Sequence, residues 1–186
     1  MSGASNQTPT AKVVAFKPRD GRRQLLDFLG PGVQLQPEAL RSPVVLKGFA
    51  YWRRIAAGRQ MPARKDFDPL DIPALLPHVM LKDVQREPLD FRYRVVGSTV
   101  RLHSSADYTG QCMSQIEHQG PNSIVWRSCS WVAENAAPLL LRPPYAGPQK
   151  DFLAVEAAIL PLGESAGRTV NKLLVFLDFI RKSGAG

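Results

Sequence analysis

The feature that most restricts the fold of this chain is a cluster of prolines ahead of its midpoint. Pro62, Pro69, Pro73 and Pro77 fall within sixteen residues. Proline fixes φ and has no amide hydrogen to donate, so this stretch can form neither a long helix nor a central strand. We therefore expect an extended or turn-rich crossing here, with regular elements on either side of it.

An amphipathic helix is predicted just before the crossing, over residues 42–58. Ser42 can cap it, Pro43 fits its first position and Gly58 suits its C-terminal end. A single apolar stripe at helical spacing is formed by Val45, Phe49, Trp52 and Ala56.

This apolar stripe has two candidate partners, the sheet of its own chain and a second copy of the protein. An interface between subunits resembles a domain core, so the sequence alone leaves both arrangements open. Val45, Phe49 and Trp52 are therefore candidate interface residues, and we expect a homodimer.

Beyond the prolines the sequence predicts five strands, with helices between the second and the third. Residues 91–97 alternate, with Phe91, Tyr93 and Val95 on one face, and they pair with residues 78–84 in an antiparallel hairpin. Residues 98–117 are short and broken, as small helices and turns are. A longer helix is predicted over 121–136, followed by strands over 139–142, 152–160 and 172–180.

The net charge of +8 lies entirely in the first third of the chain. Residues 1–66 hold twelve Lys and Arg against four Asp and Glu, whereas residues 67–186 hold twelve of each kind. Such asymmetry favours an anionic partner, or a solvated surface that keeps the protein soluble. We interpret residues 1–39 as a basic, largely flexible arm, residues 40–182 as the folded domain and residues 183–186 as a disordered tail.

Several classes of protein are disfavoured by the sequence. Cys112 and Cys129 are too few for a disulfide framework and have no zinc-ligand spacing. The N-terminus lacks the apolar region of a signal peptide, and no apolar run approaches the roughly 20 residues of a membrane span. The histidines are scattered, and no nucleophile elbow or phosphate-binding glycine loop occurs. We therefore expect a cytoplasmic protein that is not an enzyme.

The order of these elements resembles that of the PAS superfamily, and several motifs resemble one of its families, the small bacterial, largely alphaproteobacterial, single-domain PAS proteins. The motifs are Tyr51-Trp52, Met61-Pro62-Ala63-Arg64, Asp68-Pro69, Ile72-Pro73, Leu76-Pro77, residues 91–97, Tyr108-Thr109-Gly110 and Ile159-Leu160-Pro161-Leu162. The resemblance implies an α+β fold, a five-stranded antiparallel sheet with helices inserted after the second strand. It also implies a signalling or regulatory role without catalysis.

The resemblance further implies a cavity between the sheet and the inserted helices. Such sites are mostly apolar, with a few polar groups that orient a ligand. By position, the residues expected to reach it are Arg94, His103, Tyr108, Trp126, Trp131, Asn135 and Glu156. The alternative is a fully packed core with these polar groups outside it.

Flavin and haem each have a partial signal. Cys112 lies where flavin-binding photosensor PAS domains carry a reactive cysteine, but Gln111 and Met113 flank it in place of Asn and Arg. The predicted long helix offers no histidine to haem iron, which leaves His103 and His118 as axial candidates. We expect that neither cofactor is bound.

A calcium loop is the third alternative, suggested by Asp66, Asp68 and Asp71. A loop counted from Asp66 would need Gly at position 71 and Glu at position 77, where the chain has Asp71 and Pro77. We expect these aspartates to stabilise turns beside the prolines, and we expect no metal site.

The sequence thus favours a PAS sensor or adaptor that acts through contacts with an unidentified signalling protein, tuned by a small ligand. The alternative is a nucleic-acid-binding regulator that uses the basic first third of the chain. No helix-turn-helix, zinc-finger or RNA-binding signature supports that alternative.

Overall fold

The computed structural model describes residues 35–144, 153–164 and 169–181. Five strands form one antiparallel sheet in the order β2-β1-β5-β4-β3. Their bounds are Val79–Arg86 (β1), Leu89–Val96 (β2), Leu139–Leu141 (β3), Leu153–Gly163 (β4) and Val170–Arg181 (β5).

Three α-helices accompany the sheet in the described residues: Pro43–Ala56 (α1), Ser98–Leu102 (α2) and Ile124–Asn135 (α3). Helices α2 and α3 are inserted between β2 and β3, and α1 precedes the sheet. The predicted α+β architecture is therefore confirmed. Within the described part of the chain, no helix is long and apolar enough to cross a membrane.

The two faces of the sheet are covered by different helices. Side chains alternate between faces along a strand, so Lys82 and Asp83 point to opposite sides. We call the side of Lys82, where α3 packs, the inner face, and the side of Asp83 the outer face. Helix α1 packs on the outer face, where its Gly48 lies against the Phe176 ring of β5.

Helix α1 begins and ends as its sequence predicts. The Ser42 hydroxyl accepts a hydrogen bond from the Val45 amide at 3.1 Å, which satisfies one free donor of the first turn. At the other end Ala57 adopts a left-handed φ of 49°, and Gly58 follows with φ 81°. That conformation is strained for alanine and easy for glycine, so the pair ends the helix.

The proline segment forms the expected turn-rich crossing. It consists of short 3-10 turns at Arg64–Asp66, Pro69–Asp71 and Pro73–His78. The aspartates stabilise these turns, since Asp66 accepts from the Ala63 amide and Asp68 from the Leu70 amide, each at 2.9 Å.

Two details differ from the prediction. Helix α3 begins at Ile124 rather than Pro121, because the Ser123 hydroxyl caps the Trp126 amide at 3.1 Å. Val95 does not share a face with Tyr93, because an irregularity between Leu81 and Lys82 shifts the register, and Val95 is exposed.

The predicted arm, residues 1–39, falls mostly outside the described residues, as does the predicted tail, residues 183–186. The last five residues of that arm are described, and the first of them, Leu35, contacts the sheet. Leu35 is buried, and its amide donates to the Leu140 carbonyl of β3 at 2.8 Å.

Candidate functional site

The inner face of β1 and β2 carries a row of aromatic and polar side chains. Lys82 and Tyr93 are direct cross-strand partners, and Val84 and Phe91 form the next pair on the same face. Helix α3 covers this row, with the Trp126 ring edge-on to Phe91 at 5.2 Å between ring centroids.

Lys82 lies at the centre of this row and is fully enclosed. Its Nζ is 3.4 Å from Met113 Sδ and 3.6 Å from Cys129 Sγ, and it lies 4.6 Å from the centre of the Tyr93 ring. Met113 and Cys129 are themselves fully buried. Among the described residues, no Asp or Glu forms an ion pair with Lys82. The amine is therefore surrounded by sulfur and aromatic groups.

Two tyrosines extend the polar part of this interior. The Tyr93 hydroxyl donates to Gln119 Oε1 at 2.5 Å, and its ring lies 5.9 Å from that of Tyr108. The Tyr108 hydroxyl in turn lies 2.7 Å from Ser105 Oγ and 3.4 Å from His118 Nε2. We call Lys82, Tyr93, Tyr108, Met113, Gln119 and Cys129 the interior cluster.

The charges of the interior cluster follow from its burial. Burial raises the pKa of the Cys129 thiol and of the Tyr93 hydroxyl, so both groups are neutral at physiological pH. Burial disfavours the ammonium form of Lys82, and only ionised Cys129 and Tyr93 would offset that and raise the pKa of Lys82. Since they are neutral, the protein supplies no counter-charge to this amine within the cluster.

Two of the predicted pocket residues lie on or beside the interior cluster, since Tyr108 belongs to it and Trp126 covers Phe91. His103 instead contacts Phe179, near the C-terminal end of β5, with tilted rings whose centroids are 4.2 Å apart. Tyr108 and Trp126 are buried, and His103 is partly exposed.

Helix α3 carries two further predicted residues. Trp131 is buried, yet its indole Nε1 has no hydrogen-bond partner, and the same is true of the neighbouring Ser128 and Ser130 hydroxyls. Asn135, at the C-terminal end, donates to the Trp131 carbonyl at 2.9 Å and so serves the helix itself.

The structure does not bring Arg94 and Glu156 to the inner face. Arg94 is exposed and pairs with Asp83, which also pairs with Lys172. Burial alone would raise the pKa of Asp83, but Lys172 and Arg94 outweigh it and lower that pKa. These three residues form an ion-pair network on the outer side of the sheet.

Glu156 lies on the outer face and holds the start of α1. Its Oε2 accepts from the Ser42 amide at 2.8 Å and from the Arg41 amide at 2.9 Å, and its Oε1 accepts from Arg142 at 2.5 Å. Burial would raise the pKa of Glu156, but these donors outweigh it and lower that pKa. Ser42 also donates to Asp178 at 2.6 Å, so β4 and β5 jointly fix the helix.

The candidate interface residues pack against their own sheet. Val45 and Trp52 are buried, and the Trp52 indole donates to the Pro161 carbonyl at 2.9 Å. The partly buried Phe49 ring stacks on Trp52 with centroids 6.2 Å apart. The outward side of α1 carries Leu46, which is 38% exposed.

A surface groove of about 440 Å³ runs beside α1. Lys47, Ala50, Tyr51 and Arg54 line one side of it, and residues 71–75 of the proline segment line the other. Arg54 pairs with Asp71 across the groove at 3.2 Å.

The residues proposed for cofactors lie apart from one another. Cys112 is partly exposed and its Sγ lies 3.6 Å from Gln85 Oε1, whereas His118 contacts Tyr108 and His103 contacts Phe179. In the part of the chain that the structure describes, no group of three or more His, Cys, Asp or Glu is placed to hold a metal ion.

Sequence reasoning missed Lys82, Tyr93 and Gln119. One signal was available for the first of them. Lys82 and Asp83 are adjacent on a strand, so if both faces of the sheet are covered, one of the two charges must point into the protein. The burial of Gln119 depends on the path of an irregular segment, for which the sequence has no comparable signal.

Comparison with known proteins gave one match. A family model described as a PAS domain matches residues 40–176, about three-quarters of the chain. No curated protein matched the sequence, and no solved structure matched it.

Proposed function

Since this chain belongs to the PAS domain family, we propose that it is a non-enzymatic sensor module that signals through protein–protein contacts and is tuned by a small ligand at the interior cluster. The observation that carries this proposal is Lys82, a fully buried amine between the sheet and α3 with sulfur and aromatic neighbours. Buried amines without a counter-charge reduce stability, and perturbed groups of this kind cluster at functional sites.

A ligand regulates only if it binds one conformation better than another. Strand β5 offers a direct connection, because it contacts α3 on the inner face and α1 on the outer face. Gly48 of α1 rests on Phe176 of β5, and Asp178 of β5 holds Ser42. A change in β5 that accompanies ligand binding would therefore shift the position of α1 on the sheet. We propose that α1 is the element to which a partner protein binds.

The partner surface in this proposal is the outward side of α1. Val45 and Trp52 pack against the sheet of their own chain, so they are not exposed to a partner. The side of α1 with Leu46 and Lys47 is exposed, and in this proposal it binds a second copy or a signalling protein. Leu46→Asp tests this side, and Leu70→Asp is the matched control, because Leu70 is also exposed but lies on the proline segment.

We expect light scattering to show a dimer for the wild type and for Leu70→Asp, and a monomer with unchanged melting temperature for Leu46→Asp. A dimer that persists in Leu46→Asp would remove this surface from the proposal.

Native mass spectrometry of gently purified protein, with an absorbance scan, tests the ligand directly. A bound small molecule supports the ligand-tuned sensor, and a ligand-free mass together with no thermal shift from a metabolite panel contradicts it.

The described surface gives less support to nucleic-acid binding. Arg54 pairs with Asp71, and Arg59 pairs with Asp66 at 2.8 Å, so part of the basic charge is neutralised internally. Lys12, Lys17, Arg19, Arg22 and Arg23 lie outside the described residues. Nucleic-acid binding remains a prediction. A binding constant for DNA that falls steeply as the salt concentration rises would favour it.

A further inference from the structure

Lys82 is a fully buried amine with no ion-pair partner among the described residues. It fills the space between β1 and α3, which a methionine or leucine would fill without desolvating a charge. The other lysine on this part of the sheet, Lys172, is placed differently, since it is partly exposed and pairs with Asp83 on the outer face. An ion pair therefore accounts for Lys172, whereas no ion pair in the described part of the chain accounts for Lys82.

We propose that Lys82 anchors an anionic small molecule, an amphipathic monocarboxylate, between the sheet and α3. This inference rests on the proposed ligand-tuned function and specifies the chemical class of its ligand. The carboxylate of the ligand would supply the counter-charge that no described Asp or Glu provides to Lys82. A buried ammonium–carboxylate pair is much stronger than one in water.

The surroundings of Lys82 favour a single negative charge on an apolar body. Cys129, Tyr93 and Met113 are neutral, so one ammonium balances one carboxylate, whereas a doubly charged phosphate would leave a buried excess. The neighbouring rings of Phe91 and Trp126 suit an alkyl or aryl group.

Access in this proposal requires Met113 to move. Met113 sits on a three-residue 3-10 turn, and its flexible side chain changes rotamer readily.

Octanoate is a suitable probe, with 1-octanol as the uncharged compound of equal chain length. The variants are Lys82→Met, which keeps the volume and removes the charge, and Lys172→Met, which removes a lysine from the outer face. Calorimetry measures affinity and thermal denaturation measures the shift in Tm. For the wild type we expect octanoate at about ten times its Kd to raise Tm by about 3 to 6 °C.

We expect Lys82→Met to weaken octanoate binding about 100-fold or more, and Lys172→Met to bind as the wild type does. Octanol is expected to bind the wild type far more weakly than octanoate does. Its affinity is expected to be the same for Lys82→Met and for Lys172→Met. Equal binding of octanoate to the wild type and Lys82→Met would overturn the inference, as would equal binding of octanol and octanoate. Either result would still be compatible with the proposed ligand-tuned sensor, but its ligand would then be neutral. A wild type that binds none of a series of carboxylates from four to ten carbons, but retains another molecule in native mass spectrometry, would overturn the inference alone.

Discussion

Replacing Gly48 by alanine tests how closely α1 is packed on the sheet. A Cβ atom at position 48 would lie 2.3 Å from Phe176 Cγ and 2.5 Å from both of its Cδ atoms. The Phe176 ring is fully buried, so it has no free space into which to retreat. Either α1 or the ring must shift by about 1 Å to restore ordinary van der Waals contact.

Two opposing effects set the magnitude. Overpacking a well-packed core costs about 1–3 kcal/mol, whereas alanine in the middle of a helix is favoured over glycine by about 1 kcal/mol. The steric effect wins in this case, because all three close atoms belong to one enclosed ring. We expect Gly48→Ala to lower the free energy of unfolding by about 1–2 kcal/mol.

Equilibrium urea unfolding measures this change, provided that the slope with denaturant is unchanged. Ala50→Gly, on the exposed side of the same helix, is the control for helix propensity and should cost about 1 kcal/mol. Phe176→Leu should make room for the methyl group, so the double variant with Gly48→Ala should lose less than the sum of the two single losses. If Gly48→Ala instead stabilised the protein by about 1 kcal/mol, propensity alone would be acting and the close packing of α1 would be refuted.

Three further predictions concern single side chains. Lys82→Met should raise the free energy of unfolding of the ligand-free protein by about 1–4 kcal/mol in urea, and a loss would show that the amine is compensated. Glu156→Gln should cost about 2 kcal/mol at pH 7, because Arg142 loses its charged partner. The pKa of Glu156 is lowered in the folded state, so its contribution is present above the ordinary pKa and is lost as pH falls. The difference between wild type and Glu156→Gln should therefore shrink in acid, and a constant difference from pH 7 to pH 3 would contradict the assigned ion pair. Trp52→Phe should lower the free energy of unfolding by about 1–3 kcal/mol through the lost hydrogen bond to Pro161, and an unchanged Tm would show that the indole is not bound there.

The layout of the fold was predictable because its signals are local. Ser42 caps α1 through its own hydroxyl, and the prolines of the crossing limit each turn to a few residues. The alternation of Phe91 and Tyr93 depends only on the pleat of one strand. Each of these features is decided within a few residues of the chain, so the sequence carries it directly.

The site was less predictable because burial depends on what covers each face. Glu156 interrupts an apolar strand, but only the position of α1 decides that it serves Ser42 and Arg142 rather than the interior. Arg94 was expected inside, and the irregularity beside Lys82 places it with Asp83 on the outer side. Contacts between residues more than a hundred positions apart, such as Ser42 with Glu156, leave no local pattern.

The adjacent residues Lys82 and Asp83 show why the interior charge points to function. Asp83 has two cations, Lys172 and Arg94, which lower its pKa, so the outer charge is fully compensated within the chain. Lys82, one residue away and more deeply buried, has only neutral sulfur and aromatic neighbours. A chain under selection for stability alone has little reason to give the outer charge two ionic partners and the inner charge none. The inner charge has the greater desolvation cost. The contrast is accounted for if the counter-charge of Lys82 arrives with a ligand.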